Sequence, residues 1–338
     1  MKARRNDGAA TIAVLVLMVL LAASAGGGAL ILGGTLARER RSVDGYSLRR
    51  ALEGEGQRIA AVLAADPTPQ ADSPADPVWA ALGAPGLADA TDSLEDVSSA
   101  LNPNWVQKNV LTKTGLKDLL KDTGSTDILQ QRRADLGFYT DITAAYGDLF
   151  IEGALEKYCT PYGYPNINVT DEFALRKLYA LRTGAEAAAD VFHSKIQGLL
   201  IAQRILKPEQ LRDFLGLDYD ALYPVMNVEP TMNVHYVAPR ILDALLGYPE
   251  LKVPHAQATA RAILDARLTR EISEADLHRM IGAADNNRIY QYLGVTTWFW
   301  KITVKHPSAV LDMVIARIPG APDAKPRFTV VEERYARQ

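Results

Sequence analysis

The side chains most often used in catalysis are few and scattered in this chain. Five histidines are spread over its second half, and a single cysteine stands alone. No zinc-binding His-Glu-x-x-His, phosphate-binding loop or Gly-x-Ser-x-Gly turn occurs. The sequence therefore predicts a protein that is not an enzyme, with packing or surface roles for the histidines, which are His193, His235, His255, His278 and His306.

Asparagine-containing segments are the strongest repeated pattern. The stretch "NINVTDEFALRKL" (166–178) aligns without gaps with "NVHYVAPRILDAL" (233–245), so that Asn166 matches Asn233. A third stretch, "LEDVSSALNPN" (94–104), also ends in Asn-x-Asn. Because asparagine side chains bond to nearby backbone and favour turns and caps, we expect each segment to lead into a helix.

The aligned segments also place leucines at matching positions. Leu175 matches Leu242, which predicts two core positions, while Asn166, Asn168 and Asn233 are predicted to shape the helix starts. Side-chain and carbonyl oxygens in such turns are also the ligands that calcium prefers. The sequence assigns no calcium ligand and implies no other cofactor.

The N-terminus joins a short basic stretch to an uncharged apolar run from Ala9 to Leu36. Such a run is long enough to cross a hydrocarbon core of about 30 Å as a helix. It could be a signal peptide, cut after Ala23-Ser24-Ala25, or a retained anchor. Because apolar character resumes in Ala29–Leu32, we favour the anchor, although the arginines on both sides leave its orientation open.

The remaining chain predicts an α+β fold. Residues 37–65 continue the N-terminal helix, and the Pro- and Asp-rich residues 66–93 form a linker and part of a small α/β core. Residues 94–285 read as an inserted all-α domain. In residues 286–338, alternating apolar residues and short turn-rich connections predict C-terminal antiparallel strands.

Composition argues against a nucleic-acid partner. The 338 residues carry a net charge of −3, so no basic excess is available to neutralise phosphates. The segment "FLGL" (214–217) resembles the start of a helix-hairpin-helix motif, but Asp218 stands where that motif has its second glycine.

In order along the chain, several segments resemble the K-type minor pseudopilins of type II secretion systems. "NVHYVAPRILDAL" resembles the family signature, and "LEDVSSALNPN" resembles its acidic segment. "LRDFLGLDYDALYPVMNV" and "AILDARLTREISEADL" are similar to the stretches before and after the signature. At the signature, His235 and Tyr236 replace the Asn and Thr that the family favours.

The resemblance implies how the N-terminus is processed. Residues 1–8 would be a leader that a prepilin peptidase removes after Gly8, which leaves Ala9 as the new N-terminus. Residues 9–36 would then remain as a single transmembrane helix in the bacterial inner membrane, with the bulk of the chain in the periplasm. The implied partners are the I- and J-type minor pseudopilins and the major pseudopilin, and some family members bind calcium.

The position in the filament that the resemblance implies depends on residue Ala13. Most pilin-like subunits have a glutamate five residues after the cut, where it can pair with the amine of the subunit above. Here the fifth residue is Ala13, a lack that the K-type subunits share. The resemblance therefore implies a subunit at the filament tip that initiates assembly and supports protein export. The alternative is a membrane-anchored periplasmic binding module outside any filament.

We predict that Gly8→Leu leaves the leader attached while the protein still enters the membrane, because the peptidase needs the glycine and the apolar run does not. Mass spectrometry of the wild-type and variant N-termini measures this. A wild-type chain that begins at Gly26 would instead show cleavage by a signal peptidase.

Overall fold

The computed structural model describes residues 45–83, 85–136, 138–223, 225–319 and 325–338. The expectations for Gly8, Ala9, Ala13 and the segment 9–36 fall outside these ranges. Within the described ranges, no helix combines the length and apolar character needed to cross a membrane.

A helix lies against a four-stranded antiparallel sheet. Residues 45–64 are helical and are named α1 here. The sheet order is β1-β4-β5-β6, and every neighbouring pair is antiparallel. The expected α+β class and the C-terminal antiparallel strands are thus observed. The strands are β1 (Thr91–Asp96), β4 (Phe299–His306), β5 (Ala309–Ile318) and β6 (Arg327–Arg337).

One face of α1 provides the core of this layer. Leu52, Ile59 and Leu63 are buried and recur at helical spacing. They pack on the inward positions of β4 and β5, which alternate as the pleat of a strand requires. The buried strand residues in this cluster are Trp300, Ile302, Val304, Ala309, Leu311, Met313 and Ile315.

A large helical insertion separates β1 from the other three strands. Its helices are α3 (Lys108–Thr112), α4 (Ser125–Leu136), α5 (Ile142–Tyr146), α6 (Ala154–Tyr158), α7 (Glu172–Thr183), α8 (Glu186–Ile201), α9 (Pro208–Leu215), α10 (Tyr219–Leu222), α11 (Pro239–Leu246), α12 (Ala256–Ala266), α13 (Glu274–Ile281) and α14 (Ile289–Tyr292). A short α2 (Val78–Leu82) precedes β1, and 3₁₀ turns cover Gly115–Leu119, Gly216–Asp218 and Pro249–Leu251.

Three parallel bridges divide the insertion into repeats. Leu101 pairs with Cys159, Asn166 pairs with Asn227, and β2 (Met232–Asn233) pairs with β3 (Leu293–Gly294). Each bridge closes a unit that contains four of the described α-helices. We name these units repeat 1 (101–159), repeat 2 (166–227) and repeat 3 (232–294). The similarity seen in two segments of sequence therefore extends to three units of structure.

Two boundaries differ from those expected. Residue 94 lies inside β1, so the insertion begins after Asp96, and α14 extends the helical part beyond residue 285. Part of the expected linker is buried, since Ala71, Asp72 and Ser73 lie inside the fold. Asp72 and Ser73 have polar partners there, Arg317 and Glu271.

The insertion contains two apolar cores. Repeats 1 and 3 share one core, which includes Leu242, and repeat 2 has its own, which includes Leu175. Both leucines are fully buried. The matching positions in sequence therefore serve equivalent roles in different cores.

We predict that Leu175→Ala and Leu242→Ala each lower the free energy of unfolding by about 2–5 kcal/mol, because each leaves a cavity in a packed core. Thermal and urea unfolding measure the effect. Leu268→Ala is the matched control, since that side chain is 81% exposed. Unchanged stability with loss of partner binding would place the leucine at an interface instead.

Candidate functional site

The three asparagine turns have one geometry. In each, the Oδ1 of Asn102, Asn166 or Asn233 accepts a hydrogen bond from the backbone N–H two residues on, at 3.0, 2.9 and 2.9 Å. The backbone carbonyl of each asparagine accepts from the N–H groups three and four residues on. Helices α3, α7 and α11 then begin six residues after the asparagine. The side chain thus supplies the local turn that directs the chain into each helix.

In repeats 1 and 2, the other end of the asparagine amide closes the repeat. Asn102 Nδ2 donates to Pro161 O at 2.9 Å, and Asn166 Nδ2 donates to Glu229 O at 2.7 Å. In both repeats this acceptor lies two residues beyond the bridge partner. Asn168 is also engaged, because its Oδ1 accepts from Leu206 N at 2.7 Å. Each of these carboxamide oxygens already accepts a backbone N–H, which gives these asparagines a structural role.

In repeat 3 the same amide connects the insertion to the sheet. Asn233 Nδ2 donates to Asp72 O at 2.7 Å and to Thr297 Oγ1 at 3.0 Å. Thr297 Oγ1 in turn donates to Asp96 Oδ2 at 2.8 Å. Asn233 N donates to Ser99 Oγ at 2.8 Å. This asparagine therefore contacts the linker, the segment that follows β1 and the residues before β4. We name Asp72, Asp96, Ser99, Asn233, Thr297 and Arg317 the junction network.

Asp96 is the acceptor at the centre of this network. Its carboxylate accepts from the backbone N–H and hydroxyl groups of both Ser98 and Ser99 as well as from Thr297, at 2.6–3.0 Å. Burial raises the pKa of Asp96, and the hydrogen bonds oppose that shift. A buried carboxylate requires this number of donors, since an unpaired one would be costly.

Asp72 and Arg317 form the ion pair of the network. Arg317 Nη2 lies 2.7 and 3.0 Å from the two carboxylate oxygens, and Thr297 N donates to one of them at 2.7 Å. Burial raises the pKa of Asp72 to about 7, and Arg317 acts in the opposite direction. Arg317 also donates to Pro69 O at 2.8 Å, which fastens the linker to β5.

Asp66, Asp72 and Asp76 bring carboxylate oxygens within 4.8 Å of one another, and such a group can hold a metal ion. Both Asp72 oxygens face Arg317, whose guanidinium supplies the positive charge. Asp66 Oδ1 accepts from Thr68, and Asp76 Oδ1 accepts from Val78 N. The second oxygen of Asp76, Oδ2, is buried and makes no hydrogen bond to any described residue.

The histidines that the structure describes do not lie together in one site. Burial lowers the pKa of His235, whose Nε2 accepts from Ile272 N at 3.0 Å. His278 stacks on Tyr290 with ring centroids 3.8 Å apart. Among the described residues, the group of three aspartates is where metal-binding side chains come together, and it includes no histidine.

The sequence does not predict the junction network. Its patterns place Asp72 in a linker and Arg317 in a strand. The available signal was the segment "DVSSALNPN", whose serines follow an aspartate closely enough to cap it. Nothing in the sequence pairs residue 72 with residue 317, because the contact depends on how the sheet closes.

A cleft of about 550 Å³ lies where the three repeats meet. Gln107 of repeat 1, Gln203 after α8 of repeat 2 and Arg288 of repeat 3 line it. A smaller cavity of about 40 Å³ is lined by residues of all three repeats together with Tyr162 and Tyr164. The first is large enough for a ligand and the second holds little more than water.

Comparisons with known proteins leave the family open. No family model matches the chain, and no curated protein matches it. Among solved structures, it is similar to a chain of the GspK-GspI-GspJ complex of the enterotoxigenic Escherichia coli type 2 secretion system. The alignment covers 88% of this chain and 99% of that chain, at 12% identity and a TM-score of 0.33. A TM-score this low does not establish a common fold.

We predict that Arg317→Met lowers the free energy of unfolding by about 3–5 kcal/mol, because it leaves the buried Asp72 carboxylate without its counter-charge. The double variant Asp72→Asn, Arg317→Met should recover much of this loss. Urea unfolding measures both, and Arg279→Met is the control, since Arg279 is 76% exposed and its surface pair with Asp276 contributes little. Equal losses in Arg317→Met and Arg279→Met would contradict a buried ion pair.

Proposed function

We propose that the protein is a minor pseudopilin at the tip of a type II secretion pseudopilus, where it initiates filament assembly and supports protein export. The observation that carries the proposal is the order of the elements. An N-terminal helix covers a sheet whose first strand precedes, and whose other strands follow, a large helical insertion. The expected order of a long helix, an inserted helical domain and C-terminal strands agrees with this arrangement, to which the structure adds the first strand, β1.

The proposal gives α1 a double role. Its described part buries Leu52, Ile59 and Leu63 against the sheet. Its charged residues bind the same sheet, since Arg49 lies 3.2 Å from Glu333 of β6 and Arg58 lies 3.4 Å from Asp92 of β1. The helix is therefore held at both edges of the sheet. If residues 9–36 continue it into the inner membrane, the folded part would follow the movement of its anchor.

The proposed tip position rests on two features. Ala13 offers no carboxylate to a subunit above, whereas the free amine of Ala9 can still meet a glutamate of the subunit below. An unpaired charge within a membrane is costly, so the missing carboxylate disfavours addition above this subunit. In addition, the insertion between Asp96 and Phe299 consists of three helical repeats. Subunits along the shaft of a helical filament are closely spaced, and neighbouring subunits would have to make room for these repeats.

The proposed partners follow from this position. The I- and J-type minor pseudopilins would form the tip complex with this chain, the major pseudopilin would form the shaft below, and a prepilin peptidase would process Gly8. The protein would act without catalysis and without a required cofactor, in the inner membrane with its bulk in the periplasm.

The alternative is a membrane-anchored periplasmic binding module. The cleft at the meeting point of the repeats is the observation that favours it, because a filament subunit does not need such a cleft. The two functions differ in their dependence on partners. Only the tip subunit requires prepilin peptidase and co-purifies with the I- and J-type subunits.

We predict that antibody against this protein labels one end of sheared filaments, while antibody against the major pseudopilin labels their length. Immunogold electron microscopy measures both on the same preparation. Ala13→Glu should leave export unchanged, because the added carboxylate finds no amine above it. Label spread along the filament would rule out the tip position, and normal filament numbers without the protein would rule out initiation.

A further inference from the structure

The cleft between the repeats contains uncompensated positive charge. Arg288 and Lys252 both line it, and neither forms an ion pair with another described residue. Glu250 is the acidic residue in the lining, and Lys113 binds it at 2.6 Å. Lys113 and the hydroxyl of Tyr248 hold the pKa of Glu250 below its usual range. Arg288 also lowers the pKa of Glu250 through space, but the direct ion pair of Glu250 is with Lys113. The lining therefore has two cationic side chains, Arg288 and Lys252, and one carboxylate.

Arg288 also has an unused donor. Its Nη2 is buried and makes no hydrogen bond to any described residue. The Tyr248 hydroxyl, in the same lining, is already directed at Glu250. Buried polar groups are paired in the great majority of cases, so the unpaired Nη2 of Arg288 indicates an absent acceptor. A guanidinium with a free edge is suited to a carboxylate, which it can bind through two hydrogen bonds.

The walls of the cleft are held in place before any ligand binds. Asn287 Nδ2 donates to Leu251 O at 2.6 Å, and its Oδ1 accepts from Ile289 N at 2.9 Å. These bonds fix the loop that carries Arg288 to the loop that carries Lys252. Lys252 has a φ of 49°, a conformation that non-glycine residues seldom adopt. Such fixed geometry lowers the entropic cost of binding.

The rest of the lining matches a peptide. Gln107 and Gln203 offer side-chain amides, whose donors and acceptors correspond to those of a peptide backbone. Gln107 uses its Oε1 to accept from Tyr292, which leaves its NH₂ free for a carbonyl. Leu200 and Leu251 add apolar surface to the lining. A volume of about 550 Å³ lies within the range of ligand sites in proteins.

We propose that this cleft binds a peptide segment that carries a carboxylate side chain, with Arg288 as the residue that binds the carboxylate. Lys252 adds long-range attraction, and the glutamines bind the peptide backbone on either side. This inference does not depend on the proposed tip position, because it rests on the contacts within the cleft alone.

The test uses the full-length protein in detergent micelles and isothermal titration calorimetry. The probe is N-acetyl-Gly-Asp-Gly-amide, and its matched control is the same peptide with asparagine in place of aspartate. We expect saturable binding of the aspartate peptide and at least about tenfold weaker binding of the asparagine peptide, as for loss of a charge-assisted pair. Equal affinity for the two peptides, or no saturable binding, would overturn the proposal.

Variants locate the site. Arg288→Gln should weaken binding of the aspartate peptide about tenfold or more, and Lys252→Gln, at an exposed position that tolerates change, should weaken it several-fold. Arg261→Gln, on the exposed face of α12, is the control and should change nothing. Melting temperatures verify that each variant is folded. Wild-type affinity in both Arg288→Gln and Lys252→Gln would overturn the site, and full displacement of the peptide by equimolar acetate would show a small-carboxylate site instead.

Discussion

The closure of the sheet around a long insertion is the constraint on which the rest of the structure depends. β1 ends at Asp96 and must pair with β4, although the two residues that meet in the junction network, Asp96 and Thr297, are 201 positions apart. Closing so large a loop costs conformational entropy before any strand contact is made. The junction network offsets that cost by fixing the exit and the return of the chain to each other.

The network is polar, and its chemistry explains why it can fix a single geometry. Apolar contacts stabilise the two cores of the insertion and the layer under α1. These contacts are not directional, so they do not fix how the sheet and the insertion are oriented. By contrast, the donors around Asp96 and the two-oxygen contact of Arg317 with Asp72 are satisfied in one arrangement only. Replacing such buried pairs by apolar residues is often neutral for stability, so we interpret the network as a determinant of how sheet and insertion are oriented.

The repeated asparagine turn has two structural roles, which are closing a repeat and attaching a repeat to the sheet. In repeats 1 and 2 the amide of Asn102 or Asn166 reaches a backbone carbonyl just beyond the bridge that closes the repeat. In repeat 3 the amide of Asn233 reaches Asp72 and Thr297 instead. At this bridge Gly294 is also required, since a Cβ there would lie 2.6 Å from Pro230 Cβ. In the last repeat, the asparagine amide therefore attaches the repeat to the sheet and does not close the repeat on itself.

Local sequence signals predicted local structure well. Ser273 followed by Asp276 is a sequence typical of a capping box, and Pro208 is typical of a first helical turn; both features are observed, because they act within one turn of a helix. β1, the junction network and the cleft were not predictable, because each is formed by residues far apart in sequence.

The cleft and the junction network are connected through two short strands. Tyr292 lines the cleft and is followed directly by β3, which pairs with β2, and β2 ends at Asn233. The donor that attaches repeat 3 to the sheet therefore lies on the strand pair that continues from the cleft wall. The wall of the cleft and the attachment of repeat 3 to the sheet therefore depend on the same pair of short strands.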